Sequence, residues 1–128
     1  MYFLYVTKDA SAIDQLEEVL HLVDKQKVLL AVPGGYELIH FLQHIGDGDE
    51  YPELIILTMQ MPRLSGRDTL ELLKTDDIYR LIPVIMFGID TPASDQDFCT
   101  NLGAEVMSTP TVQKEWVATA RKLCAACA

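Results

Sequence analysis

Few residues in this chain have the type and spacing to do chemistry. Cys124-Ala125-Ala126-Cys127 is a Cys-x-x-Cys pattern, a spacing used for thiol redox exchange and for soft-metal ligation. It stands at the tail of a helical pattern, with no second ligand pair and no basic neighbour after Lys122. One buried thiol and one at a frayed end is the expected arrangement. His21, His40 and His44 fall on two different helical segments among acidic and apolar neighbours, and form neither a ligand set nor a nucleophile and base pair. The remaining candidate is Thr58, where the apolar run Leu54-Ile55-Ile56-Leu57 stops. In an open α/β sheet the ligand crevice lies outside the carboxyl ends of the strands, which makes Thr58 the floor of any site. A hydroxyl there is a nucleophile only with a base beside it, and the sequence offers none. A strand-end residue in a crevice is also poorly presented to a protein kinase, so structural filler is the expectation.

The elements that position Thr58 follow from periodicity. Leu54 to Leu57, bounded by Pro52 and by turn residues, suits a strand buried on both faces. Tyr2 to Val6 is a strand closing at Thr7-Lys8-Asp9, and Asp9 or Ser11 can cap a helix whose Ile13, Leu16, Leu20 and Val23 share one face. Lys27 to Val32 is a second strand, and after Pro33-Gly34-Gly35 a helix is carried by Leu38, Ile39, Leu42 and Ile45, ending in the turn Gly46 to Asp49. Beyond Thr58, Ser65 with Asp68 resembles a capping box, with Leu70 and Leu73 on the buried side of a third helix. Ile82 to Phe87 is a fourth strand ended by Gly88. Ala93 to Leu102 is a short helix with Phe98 and Leu102 inward and Gly103 past its end. Val106 and Met107 mark a fifth strand before Ser108-Thr109-Pro110. Thr111 caps a last helix whose Trp116, Ala120, Leu123 and Cys127 recur at helical steps. Strands alternating with helices imply a parallel sheet covered on both faces by right-handed crossovers.

At 128 residues and 49% apolar composition, one domain spanning residues 1–128 with a full core is expected. Ten basic against 19 acidic residues give a net charge of -9, which repels nucleic acid and anionic lipid. Three cysteines are too few for a secreted disulfide framework, no apolar run approaches a membrane span, and the start has no signal-peptide character. A cytoplasmic protein without membrane or nucleic-acid partners is the expectation. The acids in loops and at helix starts, Asp47, Glu50, Asp76, Asp77, Asp90, Asp95 and Asp97, can steer a basic partner.

Over its whole length the chain resembles the response-regulator receiver domain of bacterial two-component signalling. The resemblance rests on Gly35-Tyr36-Glu37-Leu38, Pro52-Glu53-Leu54-Ile55-Ile56-Leu57, Met61-Pro62 with Gly66, Ile82-Pro83-Val84-Ile85 and Gly103-Ala104, in order and at matching spacing. It implies a three-layer α/β/α sandwich, flavodoxin-like (CheY-like), a (βα)5 chain with a central five-stranded parallel sheet in the order 2-1-3-4-5.

The family's chemistry does not carry over. Such domains use an acidic pair after the first strand, a phosphoacceptor aspartate after the third, a hydroxyl residue after the fourth and a lysine after the fifth. The matching positions are Thr7 and Lys8, Thr58, Gly88 and Thr109. None is the required type. A hard Mg²⁺ ion wants carboxylate oxygens in near-octahedral array, so Mg²⁺ affinity is expected to be lost. Thr58 lacks the carboxylate for an acyl phosphate, Gly88 cannot reach a phosphoryl oxygen and Thr109 cannot neutralise one. The family's aromatic switch falls on Met107 or Val106. Lys8 either occupies the emptied acidic pocket as a built-in cation or reaches solvent with its stem on apolar surface. Asp9 is expected to cap the first helix.

The resemblance thus implies a stand-alone pseudo-receiver in two-component phosphorelay signalling. It would not be an enzyme and would act by protein–protein binding, with a signalling partner or a second copy meeting about Ala93 to Cys127. The alternatives are a flavodoxin-like small-molecule binder or enzyme using the strand-end crevice, and an unconventional phosphoacceptor. The first is opposed by Thr7-Lys8-Asp9-Ala10-Ser11, which has no glycine and carries a carboxylate where a phosphate would sit.

Overall fold

The three central strands of the sheet bury side chains on both faces, and that alternation decides the architecture. A computed structural model describes residues 2–45, 50–61, 63–88 and 92–126. The turn expected at Gly46 to Asp49, together with Pro62, Asp90 and Cys127, lies outside them. The elements in chain order are β1 (Tyr2–Val6), α1 (Ala10–Val23), β2 (Val28–Val32), α2 (Gly35–Gln43), β3 (Leu54–Thr58), α3 (Gly66–Lys74), β4 (Val84–Phe87), α4 (Ala93–Asn101), β5 (Glu105–Met107) and α5 (Gln113–Ala126). All the strands are parallel, in the order β2-β1-β3-β4-β5. This is the flavodoxin-like three-layer arrangement expected from the sequence.

One face of the sheet presents Phe3, Tyr5, Leu54, Ile56, Ile85 and Phe87 to Leu16, Val19 and Leu20 of α1 and to Trp116, Ala120 and Leu123 of α5. The other presents Leu4, Val6, Ile55, Leu57, Val84 and Met86 to Leu38 and Leu42 of α2, Leu70 and Leu73 of α3, and Cys99 of α4. Burial on both faces is why Leu54 to Leu57 reads as one unbroken apolar run.

Several local expectations shift. The ladder of β4 begins at Val84 rather than Ile82, because the Ile82 amide closes a 3₁₀ turn onto the Tyr79 carbonyl (3.0 Å) and Pro83 has no amide to give. Lys27 stays outside β2, its amide bonded to the Asp24 carbonyl at 3.2 Å. In α4 the buried residue is Cys99, while Phe98 and Leu102 are only partly covered. Its end is as expected: Gly103 adopts φ 94°, and the Gly103 and Ala104 amides donate to Thr100 and Cys99 carbonyls in a Schellman closure. Thr111 does not cap α5 in the expected way. The Trp116 amide bonds the Val112 carbonyl, so the helix starts one residue too late for Thr111 to be its cap. Instead the Thr111 amide and hydroxyl both donate to the Glu115 carboxylate, at 3.2 and 2.9 Å, holding that carboxyl below its ordinary range.

Candidate functional site

The carboxyl ends of β1, β3, β4 and β5 converge on two adjoining cavities. One, of about 280 Å³, is lined by Thr7, Lys8, Asp9, Thr58 and Thr109 together with Tyr5, Pro33, Gln60 and Met61. The other, of about 220 Å³, shares Thr58, Gln60 and Thr109 and adds Phe87 and Gly88. All five positions singled out from the sequence, Thr7, Lys8, Thr58, Gly88 and Thr109, therefore lie together.

Each is held by the fold for a local reason. Thr7 is 7% exposed and extends the β1–β2 ladder, its amide donating to the Val32 carbonyl at 2.9 Å. The Thr7 hydroxyl oxygen accepts from the Asp9 amide at 3.2 Å, which turns the chain toward α1. Asp9 caps α1, its Oδ1 accepting from the Ala12 amide at 3.1 Å. Lys8, between them, is exposed, as its solvent-directed alternative requires. The Gly88 amide bonds the Met107 carbonyl at 3.0 Å and prolongs β4 alongside β5.

Thr58 is half-buried, and its hydroxyl donates to the Val6 carbonyl of the neighbouring strand at 2.9 Å. The loop after it folds back on the strand end: the Gly66 amide bonds the Met59 carbonyl at 2.9 Å, and a Cβ on Gly66 would lie 2.3 Å from the Thr58 carbonyl oxygen. Only glycine permits that approach. This is the physical content of the Gly66 spacing read from the sequence.

Two residues at the site carried no sequence signal. Tyr5, 2% exposed, stands edge-on to Phe87 with ring centroids 5.7 Å apart, and Phe87 stands edge-on to Trp116 at 6.3 Å. Burial pushes the Tyr5 phenol well above its ordinary value, and the Asp9 charge adds to this. Gln60 reaches both cavities from the loop two residues beyond Thr58. Neither is a residue type that family chemistry flags. On β5, Val106 faces the α3–α4 side and Met107 the Tyr5–Phe87–Trp116 side, both half-buried.

Among the described residues, the groups at the strand ends are hydroxyls, an amide, an ammonium and one carboxylate committed to a helix cap. That donor set does not fit a hard divalent cation. Among the described residues no group of three or more His, Cys, Asp or Glu converges, and no helix is long and apolar enough to cross a membrane.

No protein-family model matches the sequence, and no curated protein matches it. Solved structures do. The Mn²⁺-bound form of the response regulator Rcp1 superposes with a TM-score of 0.82 at 21% identity, over 95% of this chain and 90% of that one. The phosphorylated cyanobacterial phytochrome response regulator RcpA gives 0.84 at 19% identity, over 95% and 89%. A two-component response regulator from Legionella pneumophila gives 0.79 at 20% identity, over 98% of both chains. Strand order, crevice position and these superpositions agree: the chain has the fold of response-regulator receiver domains.

Proposed function

We propose that this chain is a pseudo-receiver of bacterial two-component or phosphorelay signalling: one domain over residues 1–128, cytoplasmic, not an enzyme, acting by protein–protein binding without accepting a phosphoryl group. The observation that carries the reading is the Thr58 hydroxyl bonded to the Val6 carbonyl at the acceptor position. An acyl phosphate needs a carboxylate there, and a phosphoester would need a base in place of the Val6 carbonyl to which the Thr58 hydroxyl now directs its proton. Rcp1 and RcpA are described with Mn²⁺ and with phosphorylation on this fold. Here Thr7, Lys8 and Thr58 replace the carboxylates such chemistry requires, Gly88 replaces the hydroxyl and Thr109 the lysine.

The small-molecule alternative is opposed by the turn after β1, which has no glycine to cradle a phosphate and whose Asp9 carboxylate caps α1 where an anion would sit. For partners, the resemblance points to Ala93 to Cys127. Within it Asp97 and Glu105 are exposed on α4 and β5, while Asp95 is paired with Arg67, and the net charge of -9 favours a basic protein surface over nucleic acid or anionic lipid. The test is incubation with acetyl phosphate and Mg²⁺ followed by intact mass. No labile addition is expected; a base-labile phosphoryl group would overturn the reading and favour the unconventional phosphoacceptor.

A further inference from the structure

The two edges of the sheet are built differently. The β5 edge is three residues long and carries Glu105, the kind of charge that keeps an edge strand from pairing with another chain. The β2 edge is five residues, Val28-Leu29-Leu30-Ala31-Val32, with no charge, proline or glycine inside it. Val28 is 50% exposed and Leu30 39%, and Ala31 is exposed as well. Beside Leu30 and Val32 lies an apolar groove of about 630 Å³ that includes Tyr2, Phe41 and Ile45.

Backbone direction says which groups the edge offers. The Val32 carbonyl accepts from Thr7 on β1, so Val28, Leu30 and Val32 aim their amides and carbonyls inward at β1. Leu29 and Ala31 therefore aim theirs outward. An identical strand laid antiparallel with Leu30 opposite Leu30 pairs Leu29 of each copy with Ala31 of the other. All the outward groups are then satisfied in about four main-chain hydrogen bonds. The two-fold axis closes the assembly, whereas parallel addition would leave a new open edge.

We infer that β2 is a self-association edge: two copies of this chain join their sheets through antiparallel β2–β2 pairing centred on Leu30, with Leu30 and the groove beside it covered in the dimer. This surface lies at the opposite edge from Ala93 to Cys127 and does not depend on whether Thr58 accepts phosphate.

The pairing makes a register-specific test. Residues opposite each other at the centre of such a pair, with their own amides turned inward, have Cα atoms about 4.5 Å apart, within disulfide range. Leu30→Cys should cross-link to a covalent dimer under mild oxidation. Val28→Cys, which faces Val32 of the other copy, should cross-link far less, with the wild-type chain as control for its own cysteines. By sedimentation, the wild-type protein should run at twice 14.3 kDa at high concentration. Ala31→Pro removes an outward amide that no internal bond uses, and Leu30→Lys places charge at the centre. Both should be monomeric with an unchanged circular-dichroism spectrum. A wild-type protein that stays monomeric at every concentration, or a dimer that survives in a folded Leu30→Lys variant, overturns the inference.

Discussion

Thr58 and Val6 are joined by a side-chain hydrogen bond, the Thr58 hydroxyl to the Val6 carbonyl at 2.9 Å, tying the end of β3 to the end of β1. Thr58 lines the crevice, but its hydroxyl is engaged with the sheet. Thr58→Val keeps the shape and removes the donor, and should cost about 1 kcal/mol, read as a lower urea midpoint with an unchanged slope. Thr58→Asp should cost more, because it sets a carboxylate toward a carbonyl oxygen. If Thr58→Val leaves the midpoint where it was, the bond contributes nothing.

Gly66 should be the least replaceable glycine at the site. An added Cβ would lie 2.3 Å from the Thr58 carbonyl oxygen, 2.8 Å from the Met59 Cα and 2.9 Å from the Met86 Cε. Two of these are backbone and cannot swing away. Gly66→Ala should destabilise by about 3 kcal/mol, the upper end for overpacking. Gly103→Ala is the control of different cause: nothing lies within 4 Å, but φ is +94°. Its loss should be about 1 kcal/mol, from backbone strain alone. Denaturant titration of the two variants checks the order, which reverses if the loop after Thr58 relaxes freely.

Tyr5 predicts a base-sensitive fold. Burial raises its pKa above the ordinary 10.0, while in the unfolded chain it titrates near that value. Above pH 10 the unfolded state therefore sheds a proton that the folded state keeps, and stability falls as pH rises. Below pH 10 the contribution is fully present. Lys74 works in the opposite sense just below this window. Burial lowers its pKa from 10.5, so the unfolded chain binds more protons and stability rises as pH climbs toward that value. The Cys99 and Cys124 thiols and the Tyr79 phenol are raised too and act in the same sense as Tyr5, so urea midpoints across pH 8 to 11.5 should fall on the alkaline side, and Tyr5→Phe, which keeps the ring against Phe87, should lessen that fall.

What the sequence discloses depends on whether burial is two-sided. Leu54 to Leu57 is legible because both faces of β3 are covered, so no polar residue interrupts it. Lys27 to Val32 reads the same way, yet β2 is an edge strand with Val28 and Leu30 exposed. Apolar content cannot tell a central strand from an unguarded edge. In α4, Phe98 attracts attention as the aromatic, but the Arg67 guanidinium covers its ring at 4.0 Å and Cys99 takes the buried place. Thr7, Lys8, Thr58, Gly88 and Thr109 are singled out by the family resemblance, and the fold places all five at the strand ends. Tyr5 and Gln60 are not singled out, because their place at the crevice comes from three-dimensional closure and not from residue type.

The crevice should gain a metal site only when its residues are changed as a set. A hard divalent ion is held by several oxygen ligands at once, and site affinity follows the number of charged ligands. Thr58→Asp alone leaves Thr7 and the Lys8 ammonium at the rim, and among the described lining residues the carboxylate, Asp9, is already accepting from the Ala12 amide. It should show no Mn²⁺ or Mg²⁺ binding by titration calorimetry. Adding Thr7→Asp and Lys8→Asp supplies two further carboxylates on the turn that the β1 ladder fixes, and removes the opposing cation. The triple variant should bind Mn²⁺ at least roughly tenfold more tightly than the single one. Equal binding by the two variants would show that the substitutions at Thr7 and Lys8 are not what denies this crevice a metal.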